Sequence, residues 1–333
     1  MANMEREPIL SARDVEISFS LRGRKLNAIR RCSLDLYQGE TLAIVGESGS
    51  GKSVFTKSFL GMLDANGSIT GGTIMFEGND LAKYKTEKDW MTIRGKKISM
   101  VMQDPMTSLN PLKKIGRQIE ESIELNQGIK GPEAKKLALE MLKKVGIPDP
   151  ERRYQQYPHE FSGGMRQRVV IAIALVCNPA LLIADEPTTA LDVTIQAQIL
   201  TMICNLQRKY GTSVIMITHD LGVVAETCDK VAIMYAGEAV EYGTLADIFT
   251  GENHHPYTVG LFVSIPSLTE ESKRLHPIEG LMPDPTEKPT GCWFAPRCRH
   301  CTEKCKKQVP PVYEKNGHQI RCHLFGGEER KVR

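Results

Sequence analysis

Long apolar runs are missing from this sequence. The longest uncharged apolar stretch is nine residues, 169–177, where a bilayer span needs about 20. The opening residues 1–8 are polar and lack the apolar centre of a signal peptide. We therefore expect a chain that is neither secreted nor membrane-spanning. A large net charge is also missing. The formal value is +3, too small to argue for a nucleic-acid partner. No internal repeat, low-complexity tract or sustained heptad pattern is present, which argues against solenoids and long coiled coils. What remains is ordinary for a soluble globular protein: 25% charged and 41% apolar residues. At 333 residues the chain can bury a full core, with room for more than one domain.

The charge and the cysteines are unevenly spread. Residues 288–333 carry eleven Lys/Arg against four Asp/Glu, a local +7 that leaves −4 for the rest. Five of nine cysteines fall within 292–322. In a reducing compartment such a cluster suggests a metal or iron–sulfur site before it suggests disulfides.

The chain is organised around Gly46-Glu47-Ser48-Gly49-Ser50-Gly51-Lys52-Ser53, a phosphate-binding loop. An apolar run at 41–45 precedes it and a helix-compatible run at 54–60 follows. The glycines allow tight turns that bring backbone N–H groups against phosphate oxygens. The helix start adds donors and partial positive charge. Lys52 reaches the β- and γ-phosphates, and the Ser53 hydroxyl ligates Mg²⁺. A chance glycine-rich turn would match this pattern in a chain this long on the order of one per cent of the time.

Alternating Val15, Ile17 and Phe19 predict a strand over about 9–20, with further strands at 32–37, 73–76 and 98–102. Residues 111–160 change character. Ile115, Ile119 and Ile123 are spaced by four, and Leu137, Leu139, Met141 and Leu142 fit a second helix between Pro132 and Gly146. Strand patterns return at 181–184 and 214–217, around a helix over 193–210. The alternation predicts an α/β core with a mainly parallel sheet. Beyond Gly251 repeated prolines, Pro256, Pro266, Pro277, Pro283, Pro285 and Pro289, break the pattern. This predicts an appendage outside the sheet.

Several residues complete a phosphate site. Asp185 ends an apolar strand and can hold Mg²⁺, and Glu186 can polarise a water aimed at the γ-phosphate. Acidic pairs closing strands are common, but behind a phosphate loop this one gains weight. Gln103 follows a strand, and its amide oxygen can serve Mg²⁺. His219 follows another strand and can hold water and phosphate in register, although a lone His is more often structural. In Phe161-Ser162-Gly163-Gly164-Met165-Arg166-Gln167-Arg168, Ser162 is a good N-cap and the glycines leave N–H groups uncovered at a helix start. A capped structural helix would look similar. A second helix-start anion site suggests instead that another protein's ATP is gripped here.

As a set, in this order and spacing over about residues 9–250, these residues resemble the ATPase subunit of ABC transporters. The resemblance implies a P-loop NTPase fold with an N-terminal antiparallel β subdomain and a helical subdomain at about 104–165. It implies ATP binding by Phe19, residues Gly46, Glu47, Ser48, Gly49, Ser50, Gly51, Lys52 and Ser53, and by Gln103. Phe19 occupies the position that stacks on adenine. Mg²⁺ falls to Ser53, Gln103 and Asp185, and catalysis to Glu186, His219 and Lys52. Ser162, Gly163, Gly164 and Met165 act on the partner's ATP, and Asp192, in Ala190-Leu191-Asp192, forms the D-loop. Gln103 and the helical insertion form the surface that couples to membrane subunits. The usual L-S-G-G-Q is here F-S-G-G-M, so Met165 lacks one polar contact while the Ser162 hydroxyl and backbone contacts remain.

The tail resembles the C-terminal extension of oligopeptide, dipeptide and nickel permease ATPases, through His255-Pro256-Tyr257-Thr258-Val259-Gly260-Leu261 and the later cysteines. The chain thus resembles the D-type subunit of those systems, with an ATPase domain over 1–250 and an extension over 251–333. The resemblance implies a heterodimer with a second ATPase on two membrane permeases, at the cytoplasmic face of the membrane, fed by an external solute-binding protein. The expected activity is ATP hydrolysis powering peptide import. A nickel or other small-solute importer uses the same machine, and a soluble ABC ATPase acting on DNA or ribosomes is a more distant alternative. Four thiolates suffice for a [4Fe–4S] cluster or for zinc. The family spacing selects Cys292, Cys298, Cys305 and Cys322 for a [4Fe–4S] cluster and leaves Cys301 spare.

Overall fold

A computed structural model of the chain describes residues 7–21, 23–189, 191–264, 278–287 and 289–325. Ala190, Pro266 and Pro277 lie outside them. No helix among the described residues is long and apolar enough to cross a membrane. The residues fall into two compact units, one built mainly from 83–218, the other from 9–35, 42–82 and 219 onward.

In the first unit three parallel strands pair in the order Ile98–Val101, Leu181–Asp185 and Ser213–Ile217. The strand Leu181–Asp185 is buried throughout, which is why its sequence is a continuous apolar run and not an alternating one. Helix Val193–Tyr210 starts on the Asp192 cap and ends at Gly211 in the left-handed region, as the composition of its ends predicts. The helical insertion contains Ile115–Gln127 and Pro132–Lys144. Ile115, Ile119 and Ile123 are all buried, so the spacing of four marks the inward stripe. On the second helix Ala134, Ala138, Met141 and Leu142 make that stripe.

The second unit holds two sheets. Leu10–Leu21 pairs antiparallel with Gly67–Phe76, flanked by Arg24–Leu36 and Asn79–Asp80. In the other sheet Thr41–Val45 runs parallel to Lys230–Tyr235, which pairs antiparallel with Glu238–Thr244. The expected mainly parallel sheet is therefore mixed. The hairpin at 230–244 turns through Ala236 and Gly237, both at positive φ, a turn that matches strand twist.

The expectation that the tail stands outside the sheet is also corrected. His318–Ile320 pairs antiparallel with Glu238–Thr244, and Tyr313–Lys315 pairs with it in turn. These strands are only three residues long, too short to show a period. Their turn, Asn316-Gly317, has both residues at positive φ and was the available signal.

A buried carboxylate ties this extension to the sheet. Glu241 is fully buried and accepts hydrogen bonds from the Thr258 hydroxyl at 2.6 Å and the His255 N–H at 2.8 Å. His254 and His318 meet its other oxygen at 2.9 and 3.0 Å. Burial alone would push the Glu241 carboxyl up. The bonds from His254, His318 and Thr258 outweigh it and hold the group at about 2. The hydrogen bond to Glu241 in turn raises His254.

The metal- or cluster-binding character expected for the extension finds no support in the side-chain arrangement. Among the described residues no group of three or more His, Cys, Asp or Glu is set to hold a metal ion.

Candidate nucleotide-binding site

The phosphate loop follows the buried strand Thr41–Val45 and opens the helix Lys52–Ser58. At Gly46 any side chain would overlap the Met234 carbonyl, so the first glycine is required by close backbone approach. Gly51 caps the helix at φ 99°, a conformation that L side chains rarely adopt. The Gly237 N–H donates to the Ser50 carbonyl at 2.9 Å and braces the turn. Lys52 is buried, and its ammonium donates to the carbonyls of Gly46 at 2.7 Å and Glu47 at 3.0 Å. Ser53 follows it, half-buried. Phe19 is half-buried as well; its ring lies across Gly67, where a Cβ would sit within 2.5 Å of it. His219 is exposed, and the next residue, Asp220, caps a helix through the N–H groups of Gly222 and Val223.

Two contacts to this loop come from the far end of the sequence. The Tyr257 hydroxyl accepts the Glu47 N–H at 2.9 Å, and Arg297 forms a two-pronged ion pair with the Glu47 carboxylate at 2.7 and 3.0 Å. Sequence reasoning assigned neither residue to the loop.

In the other unit, Asp185 is buried at the end of its strand. Glu186 follows in the left-handed region at φ 46°, its N–H donating to the Ile217 carbonyl at 3.0 Å. The Gln103 side-chain amide donates to the Glu186 carboxylate at 2.6 Å, and the Thr189 hydroxyl donates to the same oxygen at 3.0 Å. Gln103 and Glu186, each singled out separately in the sequence, are thus direct partners. Thr189 was not singled out, although it lies three residues after Glu186. A carboxylate so held is fixed in direction, which is what aiming a water requires.

Ser162 caps the helix Gly163–Leu175 by accepting the Met165 N–H. Ser162 and Gly163 are exposed. Gly164 has no room for a Cβ beside Ile195, whose methyl would lie 2.7 Å away. Arg168 braces the helix from outside through the Val145 carbonyl and Gln198 at 2.8 and 2.9 Å.

In the extension, Cys292, Cys298, Cys305 and Cys322 line one cavity with His255 and His300, and Cys301 is not among its walls. The Cys292 N–H donates to the Cys305 carbonyl at 2.7 Å.

Residues 29–189 match the family model described as ABC transporter, and residues 240–305 match that described as oligopeptide/dipeptide transporter, C-terminal region. The chain is 52% identical over 329 residues to the oligopeptide transport ATP-binding protein AmiE of Streptococcus pneumoniae, covering 98% of this chain and 92% of that one. It is 49% identical over 320 residues to the dipeptide transport ATP-binding protein DppD of Bacillus subtilis, covering 96% and 95%. Among solved structures, an ATP-binding cassette captured as a dimer in a post-hydrolysis state with ADP and Pi matches with TM-score 0.63 and 28% identity, over 71% of this chain and 98% of that one. CbiO1 of Clostridium perfringens, part of an ABC transporter complex, matches with TM-score 0.63 and 28% identity, over 73% and 91%.

Proposed function

This chain belongs to the oligopeptide/dipeptide transport ATP-binding proteins of the ABC transporter family and is the ATPase of a peptide importer, and from that premise we propose how its residues work and what it assembles with. ATP binds with its phosphates on residues 46–53 and its adenine on Phe19. Lys52 gives up the loop carbonyls for the β- and γ-phosphates. The Ser53 hydroxyl, the Gln103 amide oxygen and the Asp185 carboxylate would hold Mg²⁺. All three are the hard oxygen donors that ion takes, and the Gln103 contact to Glu186 uses the amide nitrogen. When bound, Mg²⁺ neutralises charge developing on the phosphates.

Glu186 is the general base that takes a proton from the attacking water, and His219 keeps water and γ-phosphate in register. Ser162, Gly163, Gly164 and Met165 meet ATP held on the partner ATPase, with Asp192 beside them at the dimer contact. The observation that carries this reading is the Glu186 carboxylate fixed by Gln103 and Thr189. Most of the acceleration is positioning and charge stabilisation.

The working assembly is a heterodimer with a second ATPase, docked peripherally on the cytoplasmic face of two permeases that receive peptide from an external binding protein. The related ATP-binding cassette solved as a dimer supports pairing of two cassettes. Affinity purification of the tagged chain from detergent-solubilised membranes tests the assembly. The expected result is co-purification of two permeases and a distinct second ATPase, with ATPase activity rising when peptide-loaded binding protein is added. Recovery of this chain paired only with itself overturns the heterodimer.

For the extension we propose a [4Fe–4S] cluster on Cys292, Cys298, Cys305 and Cys322. The four thiols fit in number and chemistry and share one cavity, with Cys301 outside it. They are not set at ligand geometry, so assembly must draw them together and deprotonate them. A bound cluster would cross-link a segment with little core of its own. Protein purified without oxygen is expected to be brown with about four irons per chain. Cys292→Ser or Cys322→Ser abolishes the colour, and Cys301→Ser keeps it. A colourless preparation with one zinc per chain replaces the cluster by zinc, and a metal-free one rejects both.

A further inference from the structure

The phosphate loop carries an acidic residue, Glu47, one position into its turn. A carboxylate beside bound phosphates repels them unless it is neutralised and turned away. Here it is paired with Arg297, whose side chain is 4% exposed. Every guanidinium donor nitrogen of Arg297 is engaged. Nη1 and Nη2 meet the two Glu47 oxygens at 2.7 and 3.0 Å, Nε donates to the Glu279 carbonyl at 3.0 Å, and Nη2 also donates to the Ile278 carbonyl at 3.1 Å. Such a fork fixes direction as well as charge.

The backbone of the same residue is held separately. The Glu47 N–H donates to the Tyr257 hydroxyl, whose ring is fully buried against Tyr235 and Phe294, with centroids 4.7 and 5.5 Å away. Phe294 opens the short turn Ala295–Arg297. One aromatic cluster therefore carries both contacts. Sequence separations of 210 and 250 residues place both of these restraints on Glu47 in the C-terminal extension.

We propose that Arg297 is a positioning residue for nucleotide binding: from the C-terminal extension it neutralises and holds back Glu47, so that the phosphate loop accepts ATP. The inference rests on residues 46–53 being the phosphate site. It makes the extension part of the nucleotide-binding apparatus, beyond any role in its own folding. Tyr257 completes the clamp by fixing the loop backbone.

The test is equilibrium binding of a fluorescent ATP analogue with Mg²⁺ to the full chain, with melting temperature measured in parallel. Arg297→Ala exposes the Glu47 charge and is expected to raise Kd by about tenfold or more, the weight of one charge-assisted contact. Adding Glu47→Gln to that variant removes the repelling charge and is expected to recover most of the affinity, which a merely structural bridge would not do. Arg297→Lys, which keeps the charge and loses the fork, is expected to fall between and serves if the alanine variant does not fold. Lys52→Ala is the control for the phosphate site. If it leaves Kd unchanged, the assignment of residues 46–53 fails. If Lys52→Ala weakens binding but Arg297→Ala stays within about twofold of wild type, or if Glu47→Gln gives no recovery, the positioning role of Arg297 is overturned.

Discussion

In a Glu186→Gln variant, ATP binding is expected to persist while turnover falls by about 10²–10⁴-fold, the usual weight of a general base. Glutamine has almost the same shape. Its carbonyl oxygen can still accept from the Gln103 amide and the Thr189 hydroxyl, which meet the native carboxylate at 2.6 and 3.0 Å. The local geometry is therefore preserved and only basicity is removed. The strained backbone at residue 186, φ 46°, is unaffected because both side chains face the same left-handed restriction. The ATP-bound assembly should accumulate, visible as nucleotide retained through gel filtration. Wild-type turnover in this variant would remove Glu186 from the mechanism, and loss of ATP binding would make its role one of binding.

A second large effect separates the two halves of the proposed site. Lys52→Ala removes a buried ammonium and is expected to weaken MgATP binding to the isolated chain by about 10–100-fold. Ser162→Ala is expected to leave that affinity nearly unchanged and to lower turnover of the assembled complex by about tenfold or more. Ser162 also caps its own helix, so the alanine variant loses about 1 kcal/mol of local stability as well. Ser162→Gly keeps much of the capping preference and removes the hydroxyl, so it isolates the ligand contact. If the isolated Ser162→Ala chain binds ATP much more weakly than wild type, Ser162 acts within its own chain and not across a dimer.

The parts of the fold that could be read from the residues share a physical cause. The strands Thr41–Val45, Leu181–Asp185 and Ser213–Ile217 are buried along their whole length, and complete burial demands unbroken apolar runs. Helix Val193–Tyr210 announces both ends through Asp192 and Gly211, because caps satisfy local backbone groups. The sequence pattern leaves Lys230–Tyr235 and Glu238–Thr244 without a strand assignment and reads the tail hairpin as irregular chain. Each hairpin pairs locally, but the strands that place it in the sheet, Thr41–Val45 beside Lys230–Tyr235 and Glu238–Thr244 beside His318–Ile320, lie far away in sequence, and three-residue strands carry no period.

Taken by itself, the sequence determined the phosphate loop, the acidic strand end, the capped glycine turn at Ser162 and the family they belong to. Each rests on neighbouring residues, where spacing alone dictates turn, cap and chemistry. The tertiary structure alone decided the partnerships: Gln103 with Glu186 across 83 residues, Thr258 with Glu241, and Arg297 with Glu47 across 250. It also decided that four cysteines share a cavity which the fifth does not line. Such contacts follow from strand register and the path of the chain, which set distances between side chains that no local spacing encodes.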